Sequence, residues 1–161
     1  CMQLAVVAFA RDVLGWEDAN TTENNPGTKH PVIHIIESQK EHMKNRAYGG
    51  TMRLGAWEAK VKEETLAFEF YKKYGDIDRS SGLTSERHRH RYEFNNKFGK
   101  EFESKGLVIS ARSVKENLVE IIELPKHTHP FYLGTQGHPE YKSRPLKPHP
   151  FFIEFIKACT K

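Results

Sequence analysis

His138 and Glu140 flank a proline in the run Gly134-Thr-Gln-Gly-His-Pro-Glu140. The proline fixes φ between them, and at a spacing of two in extended or turn geometry both side chains can lie on one side. A carboxylate there can accept the imidazole N–H, fix its tautomer and stabilise the imidazolium, which is the base-and-orienter half of a nucleophilic triad. The same spacing also suits a surface histidine beside an unrelated glutamate. Arg87-His-Arg-His-Arg91 is the most unusual local composition. In a strand, Arg87, Arg89 and Arg91 would point one way and His88 and His90 the other. The run can bind phosphate or nucleic acid, clamp a carboxylate through one guanidinium, or form a solvated strand edge.

Thiol and metal chemistry have fewer candidates. Of the two cysteines, Cys159 falls in an apolar terminal stretch and reads as packing. Cys1 stands before an apolar helix whose positive end can activate a thiol, and it is equally the first residue of a fragment. His88/His90 and His127/His129 are close pairs that could share a metal. No cysteine or carboxylate accompanies them at zinc spacing, so no metal site is expected.

The elements that would hold these groups can be read from the pattern. Gln3 to Leu14 predicts a helix, apolar on most sides and therefore buried, ending at Gly15. Asp18 to Lys29 is a polar loop, and Pro31 to Ile36 a short β-branched strand. Glu37 to Tyr48 is a charged excursion before the turn signal Gly49-Gly50. Thr51 to Lys62 looks extended, with Gly55 a bulge candidate. Glu63 to Tyr74 suits a helix ending at Gly75. Arg87 to Phe94 can be a strand, followed by a helix capped by Asn95 or Asn96 and closed by Gly106. Leu107–Ala111, Val119–Leu124 and Phe131–Gln136 read as strands, and Phe151–Cys159 as a terminal helix. Interspersed helices and strands favour an α/β or mixed sheet.

Composition bounds the rest. The chain has 161 residues, enough for one domain, with 37% apolar and 11% aromatic residues, which argues against disorder. No apolar run approaches the roughly 20 residues that cross a bilayer. Two cysteines cannot build a disulfide scaffold, and a reducing cytosol fits them better than secretion. The net charge of +4, with acidic residues scattered among basic ones, is too mild for a general nucleic-acid binder.

Several blocks together resemble the glutaminase domain of the CTP synthases, within the class I glutamine amidotransferases. They are Met2-Gln-Leu-Ala-Val-Val-Ala-Phe-Ala-Arg11, Asp18-Ala-Asn-Thr-Thr-Glu23, Gly49-Gly-Thr-Met-Arg-Leu-Gly55, Glu86-Arg-His-Arg-His-Arg-Tyr-Glu93, His138-Pro-Glu140 and the tail Ser143 to Pro150. The resemblance implies an α/β fold, part of a flavodoxin-like domain with a mixed, mainly parallel central sheet flanked by helices. It also implies the chemistry. A cysteine thiolate attacks the side-chain amide of L-glutamine, and ammonia passes to a separate synthetase domain that uses ATP and Mg2+ to aminate UTP to CTP. By resemblance His138 is the base and Glu140 its orienting carboxylate, while Gln3, Glu23 and Arg91 hold the glutamine. The Gly49–Gly55 block is similar to a lid linked to GTP activation, without an assigned GTP ligand. Cytoplasmic homotetramers that bind neither nucleic acid nor membrane are implied as well.

The sequence also departs from the family. Members read Cys-Leu-Gly-Met-Gln at the nucleophile, whereas this chain opens Cys1-Met2-Gln3. Either Cys1 stands at the family's glycine and the nucleophile lies off the chain, or Cys1 is the nucleophile and a Leu-Gly pair is missing. The family's first strands, its Gly-rich oxyanion loop and the synthetase domain have no counterpart. Residues 1–161 are therefore expected to form a glutaminase domain lacking its first strands and inactive alone. A non-catalytic glutaminase-like interaction fragment is the alternative. Gly137, where relatives carry an aromatic residue, predicts looser packing beside the base.

Overall fold

A computed structural model of the chain describes residues 2–35 and 53–160. The first element is α1 (Met2–Asp12), after which Gly15 takes a φ of +72° that would strain any residue bearing a Cβ. The helix buries Met2, Val6, Val7, Phe9 and Ala10. Its other side is open, with Leu4 62% exposed and Ala8 exposed too, so its apolar composition overstates its burial.

Next come β1 (Asn20–Thr21), β2 (Pro31–Ile35), β3 (Arg53–Val61), α2 (Leu66–Tyr74) and β4 (Leu83–His90). After Arg91 the chain continues as β5 (Tyr92–Phe94) and α3 (Gly99–Ser104), then β6 (Val108–Ser113), β7 (Val119–Glu123), β8 (Leu133–Thr135) and α4 (Pro150–Cys159). The expected excursion at 37–48 and the turn at Gly49-Gly50 lie outside the described residues. Gly55 has a φ of +87° but pairs with His88 without a register shift, so it is not a bulge against β4.

Two sheets result, β1-β2-β5 and β4-β3-β6-β7-β8. The mixed α/β architecture is present, but the expected predominance of parallel pairing is not. Among the described strands only β1 and β2 run parallel, and every other pairing is antiparallel. For β6 and β7 the connection explains this: residues 114–118 are too few for the crossover that parallel neighbours require. Strand length and apolar pattern do not encode pairing direction.

One apolar core joins α1 to β2, β5, α3 and β7 through Val6, Phe9, Ile33, Phe94, Phe102 and Ile122. The second gathers Val61, Phe70, Tyr71, Ile121 and Phe151 under α2 and α4.

The larger sheet is curled. Laid flat, its edge strands β4 and β8 would stand roughly 19 Å apart. The step from Thr135, in β8, to His138 spans at most about 11 Å. Yet the His138 N–H donates to the Arg87 carbonyl of β4 at 2.8 Å. The curl brings the two edges together, and the side chains this sheet buries include Arg53, Glu86, His88, His90 and Glu120 besides the apolar Ala59, Val61 and Ile121.

Candidate active site

The turn after β8 is built from local bonds. The Gly137 N–H donates to Thr135 Oγ1 at 3.1 Å, and Pro139–Tyr141 form a single 3-10 turn. His138 Nδ1 and Glu140 Oε1 lie 2.7 Å apart. A carboxylate only accepts, so this bond assigns the proton to Nδ1 and leaves Nε2 for chemistry. The ring also stacks on Tyr141, with centroids 5.4 Å apart. Partial burial opposes ionisation of Glu140, but its interactions with His138 and a backbone hydrogen bond together outweigh it and hold the carboxyl below its ordinary range.

This pair faces a cleft of about 570 Å³ lined by Met2, Gln3, Ala5, His90 and residues 133–140. Beside it lies a second hollow of about 330 Å³, lined by Gln3, Glu23, Arg89, His90, Arg91 and Tyr92. The two share Gln3, Arg89 and His90. Five residues singled out in the sequence, Gln3, Glu23, Arg91, His138 and Glu140, therefore border two adjoining hollows. The sixth, Cys1, lies outside the described residues.

The five come from four places in the chain, His138 and Glu140 sharing the turn after β8. Gln3 is on the first turn of α1, Glu23 follows β1, and Arg91 sits where the chain leaves the larger sheet for the smaller one. Arg91 Nε is buried and has no hydrogen-bond partner among the described residues, which suits a guanidinium waiting for an anion. The Tyr92 carbonyl gathers the floor of the site. It accepts from Gln3 Nε2 at 2.8 Å, Gln136 Nε2 at 2.9 Å and His90 Nδ1 at 3.0 Å.

Behind that carbonyl runs a buried polar chain. His90 gives its Nδ1 proton to Tyr92, so its Nε2 can accept the Nδ1–H of His88 at 3.1 Å. Arg53 Nη1 approaches His90 Nε2 at 3.5 Å and donates to Glu120 Oε1 at 2.5 Å. Burial, reinforced by the Arg53 charge, pushes His88 down to about 3 and His90 down to about 4, so both rings are neutral. Burial raises Glu120 although Arg53 pulls the other way. Among the described residues, no three His, Cys, Asp or Glu side chains gather as a metal site.

Two further expectations need correction. Gly137 does not loosen the packing, because a Cβ added there would lie 2.8 Å from Glu86 Cβ. The turn is drawn tightly onto β4. Cys159 is exposed and not a packing residue, since the final turn of α4 points it away from the core.

Sequence reading missed Glu86, Lys142, Gln136 and the Tyr92 carbonyl. The inward face of β4 is Thr84-Glu86-His88-His90, polar throughout and buried. The alternation of Arg87 to Arg91 was a signal that two faces exist, but an apolar inward face is the usual mark of burial.

The family model described as glutamine amidotransferase class-I matches residues 1–158. The CTP synthase of Aquifex aeolicus (strain VF5) is 54% identical over 160 residues, covering 99% of this chain and 28% of that protein. The CTP synthase of Sulfurisphaera tokodaii is 54% identical over 160 residues, covering 99% of this chain and 27% of that protein. This chain thus spans little more than a quarter of these relatives. The solved glutaminase domain of Trypanosoma brucei CTPS with bound acivicin matches with a TM-score of 0.84 at 34% identity, covering 99% of this chain and 57% of that one. A family match running almost from end to end, supported by a solved fold of the same shape, settles the kinship: the chain belongs to the class-I glutamine amidotransferase family.

Proposed function

We propose that this chain is the glutaminase part of a CTP synthase, hydrolysing L-glutamine to glutamate and ammonia for the amination of UTP. The observation that supports this most is the oriented His138–Glu140 pair opening on a cleft that adjoins the hollow of Gln3, Glu23 and Arg91. Glu23 suits the α-ammonium of glutamine, Arg91 its α-carboxylate, and Gln3 its amide groups. His138 Nε2 takes the proton of a cysteine thiol, the thiolate adds to the side-chain carbonyl carbon, and His138 passes that proton to the departing nitrogen so that ammonia leaves and a thioester remains. His138 then takes a proton from water, whose oxygen displaces the thiolate and yields glutamate. Cys1 is that nucleophile if the Leu-Gly pair of the family motif is missing from this sequence.

On this reading residues 1–161 are a glutaminase domain that works beside a synthetase domain of the same cytoplasmic enzyme. ATP and Mg2+ act in that synthetase domain, GTP is an activator, and the full enzyme is a homotetramer. No helix among the described residues is long and apolar enough to cross a membrane. The reading is tested by His138→Ala in the full-length protein. Glutamine-dependent CTP formation is expected to be lost and ammonia-dependent formation kept; equal loss of both would refute the assignment.

A further inference from the structure

Glu86 takes no part in that chemistry, yet three elements converge on it. Its buried Oε1 accepts from the Tyr71 hydroxyl of α2 at 3.0 Å and from His149 Nε2, at the start of α4, at 2.9 Å. It also accepts from Lys142 Nζ, just past the His-Pro-Glu turn, at 3.2 Å. His149 Nδ1 accepts the Phe151 N–H at 3.3 Å, so the bonding pattern assigns the ring proton to Nε2. Lys142 is anchored a second time, to the Ser85 carbonyl at 2.8 Å. Burial opposes ionisation of Glu86, but the hydrogen bond from His149 and the charge and hydrogen bond of Lys142 work against it, and the carboxyl is held below its ordinary range.

The same side chain supports the other end of the turn. Gly137 lies against the Glu86 stem with no room for a Cβ, and the next residue, His138, hangs by its N–H from the Arg87 carbonyl. Residues 137 and 142, which bracket the base and its carboxylate, thus both rest on Glu86. A buried charged acceptor shared by an ammonium and two buried donors fixes geometry more firmly than a neutral one.

We propose that Glu86 is a positioning residue for the base: it fixes the 137–142 turn, and so the direction of the His138 ring over the cleft, without touching glutamine. This rests on the assignment of His138 as base. Gln3 and Glu23 are held by other elements, and Arg91 lies past the end of β4, five residues from Glu86, so disturbing Glu86 is expected to act on turnover more than on glutamine binding.

The experiment compares Glu86→Leu, Glu86→Gln and Lys142→Met in the full-length enzyme, with His138→Ala as control. Both glutamine- and ammonia-dependent CTP formation are measured. Glu86→Leu is expected to lower the glutamine kcat about tenfold or more while KM stays within about twofold, with ammonia-dependent turnover unchanged. Glu86→Gln keeps an acceptor oxygen and recovers most of that loss. Lys142→Met lowers kcat by about threefold or more, and it decides the matter where Glu86→Leu fails to fold. Wild-type kcat in Lys142→Met, or a rise in KM at constant kcat, overturns the proposal. If His138→Ala is inactive with glutamine while these variants turn over normally, the positioning role alone falls. If His138→Ala retains glutamine activity, the base assignment falls with it.

Discussion

The proton on His138 Nδ1 is committed to Glu140, so only Nε2 can trade protons with a substrate, and the cleft is on the side where Met2 and Gln3 begin α1. The division of labour among the remaining side chains follows from charge. Glu23 and Arg91 border one hollow with opposite signs, matching the two charged ends of an amino acid, and Arg91 Nε has no hydrogen-bond partner among the described residues. An interaction made equally in ground and transition states appears in KM and not in kcat. Arg91→Met in the full-length enzyme is therefore expected to raise the glutamine KM about tenfold or more with kcat little changed. Steady-state kinetics over a wide glutamine range checks this. An unaltered KM would remove Arg91 from the carboxylate site.

Elements are held in register by buried carboxylates as much as by apolar packing. Glu123 at the end of β7 accepts the backbone N–H groups of Leu66 at 2.7 Å and Ala67 at 3.0 Å, satisfying orphan donors at the start of α2. Glu123→Ala strands both donors in a buried setting and is expected to cost about 1–3 kcal/mol. Urea unfolding would show it as a lower midpoint, and an unmoved midpoint would mean that the helix end finds other partners. Such long-range anchors explain what the sequence could and could not reveal. The His-Pro-Glu turn was readable because its geometry is local, and α1, α2 and α4 because periodicity and terminal signals such as Gly15 and Gly75 are local too. Gln3, Glu23 and Arg91 came with the family blocks. Glu86, Lys142 and His149 did not stand out, because their meeting depends on the curl that brings β4 against the loop after β8. The antiparallel sense of the larger sheet was hidden for a similar reason, being set by connection length and long-range pairing.

Across the domain, the curled sheet buries a polar group of side chains beside its apolar cores, and that gives the fold a dependence on pH. His88 and His90 are neutral when folded, with values pushed from the ordinary 6.5 down to about 3 and about 4. Below pH 6.5 the unfolded chain takes up protons that the folded one refuses. The stability these residues contribute is therefore complete above that pH and is lost as pH falls toward the folded values. Each imidazole contributes a slope of up to about 1.4 kcal/mol per pH unit in that window. Chemical unfolding followed at pH 7.5, 6 and 5 is expected to show falling midpoints, with a shallower fall in His88→Asn. Midpoints independent of pH would mean that the pair is not buried as a neutral unit. The interior supports the Tyr92 carbonyl, which lines the smaller hollow, and the His138 turn lines the adjoining cleft. The decisive measurement is glutamate release from glutamine by the full-length His138→Ala protein, set against its ammonia-dependent CTP synthesis. Release at background with ammonia-dependent synthesis intact is the predicted result. Release at the wild-type rate would contradict the account.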